Sequence, residues 1–227
     1  MKKLVLTVLL SMLIAPAFAG VVQTESQTKS FSGLPTLNAD LVFAKFDQHL
    51  GSLDSIEVIV NLTSSGGDLI MDNDSDEEAD GTFNFGADAS FTVSEPFVNS
   101  SFQPVVASLA ATHSGVVDLD ANTGDGALDF DPTPGDGMQY LGQAMNDSDS
   151  GFLASAIFGD WTGFGESVTI SVSASQVSNV TATGGVEIAY TPINISGDAT
   201  VIYTYTTPEP ATMGLLALGG LFIRRRK

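Results

Sequence analysis

Between residues 20 and 207 apolar side chains recur at every second position, and this two-residue period constrains the fold more than any other feature of the chain. Ile56, Val58, Val60 and Leu62 fall on one face of an extended segment, as do Val168, Ile170, Val172 and Ala174. Successive side chains of a β-strand point to opposite faces, so each set predicts a half-buried strand. Leu41 to Phe46, Gly67 to Met71, Thr82 to Phe85, Ser90 to Val93, Val105 to Ala111, Val180 to Thr183, Val186 to Tyr190 and Ala199 to Thr206 are further strand candidates. The gaps are rich in Gly, Asp, Asn, Ser and Pro, and no helical pattern intervenes to bridge parallel strands. The expectation is all-β: one antiparallel β-sandwich or jelly-roll-like domain over residues 20–207. Gly66-Gly67 and Gly184-Gly185 read as hairpin turns. Asp118 to Gly137, with six Asp among Gly and Pro, reads as a long loop. In Met138 to Gly165 the apolar residues Phe152, Leu153, Ile157, Phe158 and Trp161 fit a short helix or an aromatic core edge equally.

Charge is segregated along the chain. The whole carries −19, but Lys2, Lys3, Arg224, Arg225, Arg226 and Lys227 sit at the ends. Residues 20–207 hold 26 Asp and Glu against Lys29 and Lys45, a net of −24. Nucleic-acid binding is excluded, because phosphate backbones need clustered Lys or Arg. The absence of Cys removes disulfides, thiolate metal sites and cysteine nucleophiles.

Both ends read as addresses. Lys2 and Lys3 precede the apolar run Leu4 to Ile14, and Ala17 and Ala19 stand at signal-peptidase spacing, so residues 1–19 form a secretory signal peptide cut before Gly20. At the other end come Pro208-Glu209-Pro210, the largely apolar run Ala211 to Ile223, and Arg224-Arg225-Arg226-Lys227. That run makes roughly 20 Å of helix against a hydrocarbon core of about 30 Å. Its terminal cations stay cytoplasmic and snorkel to the headgroups. Residues 208–227 resemble the PEP-CTERM sorting signal of Gram-negative bacteria, with its Pro-Glu-Pro motif, short helix and Arg cluster in order. The resemblance implies recognition by an exosortase, a membrane-embedded transpeptidase-like enzyme. The chain would be held transiently in the inner membrane by the helix, cut near the motif and passed to the cell surface of a polysaccharide-producing bacterium.

The body is similar to the choice-of-anchor E domain, through Leu41 to Asp47, Leu50-Gly51-Ser52-Leu53 and Gly197 to Tyr205. Asp47-Gln48-His49 departs from the Asp-Pro expected there, and the resemblance implies no catalytic residues.

Calcium is the first chemistry to weigh, since carboxylates on Gly/Asp loops suit a hard cation. Asp72, Asp74, Asp76 and Asp80 occupy positions 1, 3, 5 and 9 of an EF-hand-like loop, but Glu77 replaces the turn Gly and Phe83 the closing Glu. Asp118, Asp120, Asn122 and Asp125 begin a second such alternation, with Thr123 in place of Gly. His49 is expected to cap a turn and His113 to end a strand; there is no G-x-S-x-G, H-E-x-x-H or phosphate-binding glycine pattern. Trp161, Tyr140 and Phe164 offer either core packing or a sugar-stacking platform near the acidic loop.

Three functions follow: a non-enzymatic surface or matrix protein, a Ca²⁺-dependent glycan-binding module, and a secreted glycan hydrolase. The first is the expectation, with signal peptidase and exosortase as processing partners, extracellular polysaccharide as a possible partner, no catalytic residues, and no cofactor unless Ca²⁺ binds.

Overall fold

The computed structural model describes residues 20–122, 124 and 130–207. The signal peptide with Ala17 and Ala19, the sorting tail with Pro208 to Pro210 and Arg224 to Lys227, and Asp125 lie outside the described residues.

The described residues are all-β, with antiparallel sheets and one 3₁₀ helix (Ser155–Trp161). One sheet has the order β1 (Val21–Gly33), β11 (Asn194–Thr207), β3 (Ser52–Ser65), β8 (Met145–Phe152). The facing sheet has the order β2 (Thr36–Ala44), β9 (Ser167–Ala182), β5 (Ala79–Val93), β6 (Ser108–Leu119). Counting only these eight strands along the chain, the sheets run 1-8-3-6 and 2-7-4-5, the order of the two Greek keys of a jelly roll. The alternating residues of β3 and β9 named above form the centre of the core, none more than 4% exposed. Opposite them lie Phe83, Phe85, Ala87, Ala89 and Phe91 of β5 and Ala199, Val201 and Tyr203 of β11, all buried.

One side chain bridges the two sheets at each open edge of the sandwich. The Gln27 amide on β1 donates to Ala44 O (3.1 Å) and accepts from Ala44 N (2.9 Å) on β2. On the other side Ala110 N of β6 donates to Asp147 Oδ2 of β8 (2.8 Å). Edge backbone groups are thereby tied across the two sheets instead of being left to template another strand.

A third sheet, β10 (Val186–Tyr190), β4 (Asp68–Asn73), β7 (Gly137–Leu141), continues the first. Its three strands follow or precede β11, β3 and β8 in the chain after breaks of two or three residues. Gly142 N donates to Gly67 O (2.8 Å) and Thr191 N to Asp68 O (2.9 Å), so the three breaks lie at one level. Gly66 and Gly67 have φ of +71° and +72°, and a Cβ on Gly67 would stand 2.7 Å from Ile193 Cγ2. The layer is therefore one sheet creased across three strands, with glycine required where backbones approach at the fold line. This corrects the hairpin expectation: Gly66-Gly67 makes the crease, and Gly184-Gly185 carries the chain from β9 to β10 in a different sheet.

β9 and β5 run uncreased beneath both halves, and the 16 residues of β9 span about 50 Å. Thr82 to Phe85 and Ser90 to Val93 are parts of the single strand β5, and Val180 to Ala182 end β9, with Thr183 just beyond it. Met138 to Gly165 resolves into β7, β8 and the 3₁₀ helix. Val21 pairs with Thr207, so the described chain begins and ends side by side. We call this the tail-bearing end; the β4–β5, β6–β7 and β9–β10 connections form the opposite, acidic end.

Candidate functional site

The acidic end brings the two predicted Asp loops together. Asn73, fully buried at the end of β4, joins them: its Nδ2 donates to Glu77 O (2.8 Å) and Asp120 O (2.7 Å), and its Oδ1 accepts from Ser75 N (3.1 Å). Its own backbone N donates to Asp136 O (2.9 Å). Asn122 N donates to Ser75 O (2.8 Å), Asn122 Nδ2 donates to Asp74 Oδ1 (3.2 Å), and Asp120 N donates to Gly135 O (2.8 Å). Asp72, only 2% exposed, accepts from Asp131 N (3.3 Å) and stands directly across the ladder from Glu187 of β10.

The six predicted ligands therefore separate. Asp74, Asp120 and Asn122 meet where the two loops touch, and Asp72 is buried beside them. Asp76 is exposed, and Asp118, paired in register with Asp80, is exposed between the buried Val117 and Leu119. Asn73, Asp131, Asp136 and Glu187 join the cluster without having been singled out in the sequence. Only the run of Asp with interspersed Asn and Ser hinted at Asn73, whose role as a hub depends on β4 passing beneath the β6–β7 loop. Among the described residues no three carboxylate or imidazole groups are grouped to hold a metal ion.

Of the two alternatives for the aromatic residues, Trp161 and Tyr140 take core packing and no sugar-stacking platform forms among the three. Trp161 is fully buried at the tail-bearing end, its Nε1 donating to Pro96 O (2.9 Å) and its ring stacked on Phe97. Phe164 is exposed at that same end, while Tyr140 packs between the sheets against Phe83 and Phe85. His49 lies in a turn as expected, but Asp47 supplies the cap: the His49 amide donates to Asp47 Oδ1 (2.9 Å), and the His49 ring nitrogen lies 2.7 Å from that oxygen. These contacts, the amide first, hold the Asp47 carboxyl below its usual range. His113 does not end a strand; it lies inside β6, stacked on Tyr140 with ring centroids 4.8 Å apart.

At the tail-bearing end Lys45 is nearly buried, its Nζ 2.9 Å from Glu95 and 3.5 Å from Glu166. The hydrogen bond to Glu95 raises its pKa, outweighing the opposing effect of burial. Tyr203, fully buried, donates its hydroxyl to Ala44 O (3.0 Å), and burial pushes its pKa well above the ordinary tyrosine value. Elsewhere, surface hollows of about 290 to 430 Å³ lie along strand faces and at Phe46–Leu53, and each of these five is lined by at most one carboxylate.

The family model of the PEP-CTERM protein-sorting motif matches residues 206–227. The tail is this sorting motif. Such motifs are recognised by exosortases, so the chain is an exported protein sorted to the cell surface. The PEP-CTERM match begins at Thr206, within β11, so the sorting motif starts inside the sandwich with no linker. Among the described residues no helix is long and apolar enough to cross a membrane; residues 211–223 lie outside them. No curated protein matches the chain. Among solved structures, the capsid protein of BFDV is similar at 10% identity over 84% of this chain and 96% of that chain, with a TM-score of 0.23. Infectious bursal disease virus, Gt strain, matches at 11% identity over 87% of this chain and 46% of that chain, with a TM-score of 0.15.

Proposed function

We propose that this chain is a non-enzymatic structural or adhesive protein of the bacterial surface or extracellular matrix. Signal peptidase removes residues 1–19, residues 211–223 hold the chain transiently in the inner membrane, and an exosortase acting near Pro208-Glu209-Pro210 passes it outward. The observation that carries this reading is the pairing of Val21 with Thr207 beside the sorting motif. The body is thus presented from one end, with its acidic end about 50 Å further out. The body, with 26 acids and two lysines over residues 20–207, suits a hydrated polysaccharide layer. The resemblance of Leu41 to Asp47 and Gly197 to Tyr205 to the choice-of-anchor E domain fits the same role. Replacing Pro208 and Glu209 with Ala and fractionating the cells tests it: the chain should stay in the inner membrane with its tail uncut, and unchanged surface delivery defeats the reading.

The convergence of the Asp72–Asp76 and Asp118–Asn122 loops on Asn73 favours a second reading, in which Ca²⁺ stiffens the acidic end for glycan binding. A ligand that binds only the folded state raises stability. Millimolar Ca²⁺ should then raise the melting temperature relative to EDTA, and superimposable melts refute the calcium reading.

A further inference from the structure

The three exposed phenylalanines among the described residues, Phe102, Phe152 and Phe164, all belong to the tail-bearing half of the sandwich. Two of them stand on turns. Phe164, 77% exposed, sits between Gly163 and Gly165, its ring edge-on to His49. Leu50, also exposed, follows His49 in the turn closed by Leu50 N donating to Asp47 O, and the next residue, Gly51, packs against the backbone of Thr206 and Thr207. Phe102, 75% exposed, tips the loop whose Pro96 and Phe97 cover Trp161. Its φ of +59° is a conformation that a bulky residue adopts only under constraint. Here Asn99 supplies it, accepting from Ser101 N, Gln103 N and Phe102 N. Both rings are thus held out into water on braced turns, where an apolar partner can reach them.

The length of chain beyond the sandwich identifies that partner. Three residues separate Thr207 from Ala211, where the apolar run begins, and the four Cα-to-Cα steps between them reach at most about 14 Å. While residues 211–223 lie in a membrane, the tail-bearing end has to rest on its surface. We propose that this end is a seat for the bilayer: Phe164, Leu50 and Phe102 enter the headgroup region of a zwitterionic membrane beside the chain's own anchor. Aromatic and leucine side chains partition to that depth. The charge of Asp47, Asp54, Asp160 and Glu166 nearby selects neutral over anionic lipid. Seating fixes the body upright and holds Pro208 to Pro210 at headgroup level, where a membrane-embedded enzyme can reach them. The inference rests on the transient anchoring proposed above.

Because the chain has no cysteine, single cysteines report position without background labelling. The test uses residues 20–227 in phosphatidylcholine vesicles, with an environment-sensitive fluorophore on Phe102→Cys, Phe164→Cys or the control Val116→Cys, an exposed site on the far half of β6. All three positions are exposed, so the fold tolerates them. Labels at 102 and 164 should shift to the blue and lose emission to quencher-bearing lipids, while the label at 116 behaves as in water. Vesicle-bound chain with all three labels in water overturns the seat and leaves the sorting reading intact. Chain that does not remain on the vesicles overturns the anchoring stage and the seat with it.

Discussion

Asn73→Ala should cost this domain several kilocalories per mole, although residue 73 has no charge and touches no exposed surface. The substitution removes two donated hydrogen bonds, to Glu77 O and Asp120 O, and one accepted from Ser75 N. Each typical hydrogen bond contributes about 1 kcal/mol net, and the two carbonyls belong to the exposed residues Glu77 and Asp120, where water can replace the lost donor. The expected loss is therefore about 3 kcal/mol. For a domain of this size each kcal/mol moves the melting temperature by about 2 to 4 °C, which predicts a drop of about 6 to 12 °C by calorimetry. Ser75→Ala is the matched control: it removes only the bond from Glu77 N to Ser75 Oγ at an exposed site and should shift the melt by about 2 °C or less. Asn73→Asp should be worse than Asn73→Ala, because a carboxylate cannot donate to either carbonyl and adds charge beside Asp72 and Asp136. If Asn73→Ala melts within about 2 °C of the natural protein, the hub argument is refuted.

Alkaline pH should destabilise the fold. Lys45 and Tyr203 both have raised pKa values, so between the unfolded and folded values the unfolded chain binds fewer protons and stability falls as pH rises above about 10. Melts at stepped pH should show this decline, and Lys45→Met should flatten its Lys-dependent part while costing about 1 to 3 kcal/mol at neutral pH; a flat profile above pH 10 in the natural protein refutes the assignment. At the crease, Gly66→Ala meets only the left-handed φ, nothing lying nearer than 3.4 Å, and should cost about 1 to 2 kcal/mol. Gly67→Ala adds the approach to Ile193 and to Thr191 O at 2.9 Å, so it should denature at lower urea than Gly66→Ala; the reverse order defeats the crease argument.

The parts of the fold legible in the sequence are those where burial alternates. β3 and β9 are buried on one face along most of their length, and their Ile, Val and Leu residues announce it. β5 reads as two strands because its middle, Gly86-Ala87-Asp88-Ala89, is small and polar, yet Ala87 and Ala89 are buried in the core. β1 and β8 escape altogether. Phe31 is the one buried residue of β1 and Met145–Phe152 has none, because both are edge strands whose place is set by backbone ladders to β11 and β3. The glycine pairs mislead because positive φ serves a hairpin and a crease alike. At the acidic end the sequence marks the two Asp runs, but their meeting depends on the creased layer, and their hub is an Asn with no local signature.

The position of β11 has a mechanical consequence. Thr207 leads directly into the sorting tail, and β11 is flanked along nearly its whole length by β1 on one side and β3 on the other. If the tail is fixed while the far end is held in a matrix, tension runs along the axis of β11. The two ladders then resist it in shear, many rungs loaded at once, rather than opening one rung at a time. Forced unfolding is governed by the unfolding rate rather than by equilibrium stability. A protein whose equilibrium stability is ordinary can thus hold under drag, because its attachment strand is among the last to slip.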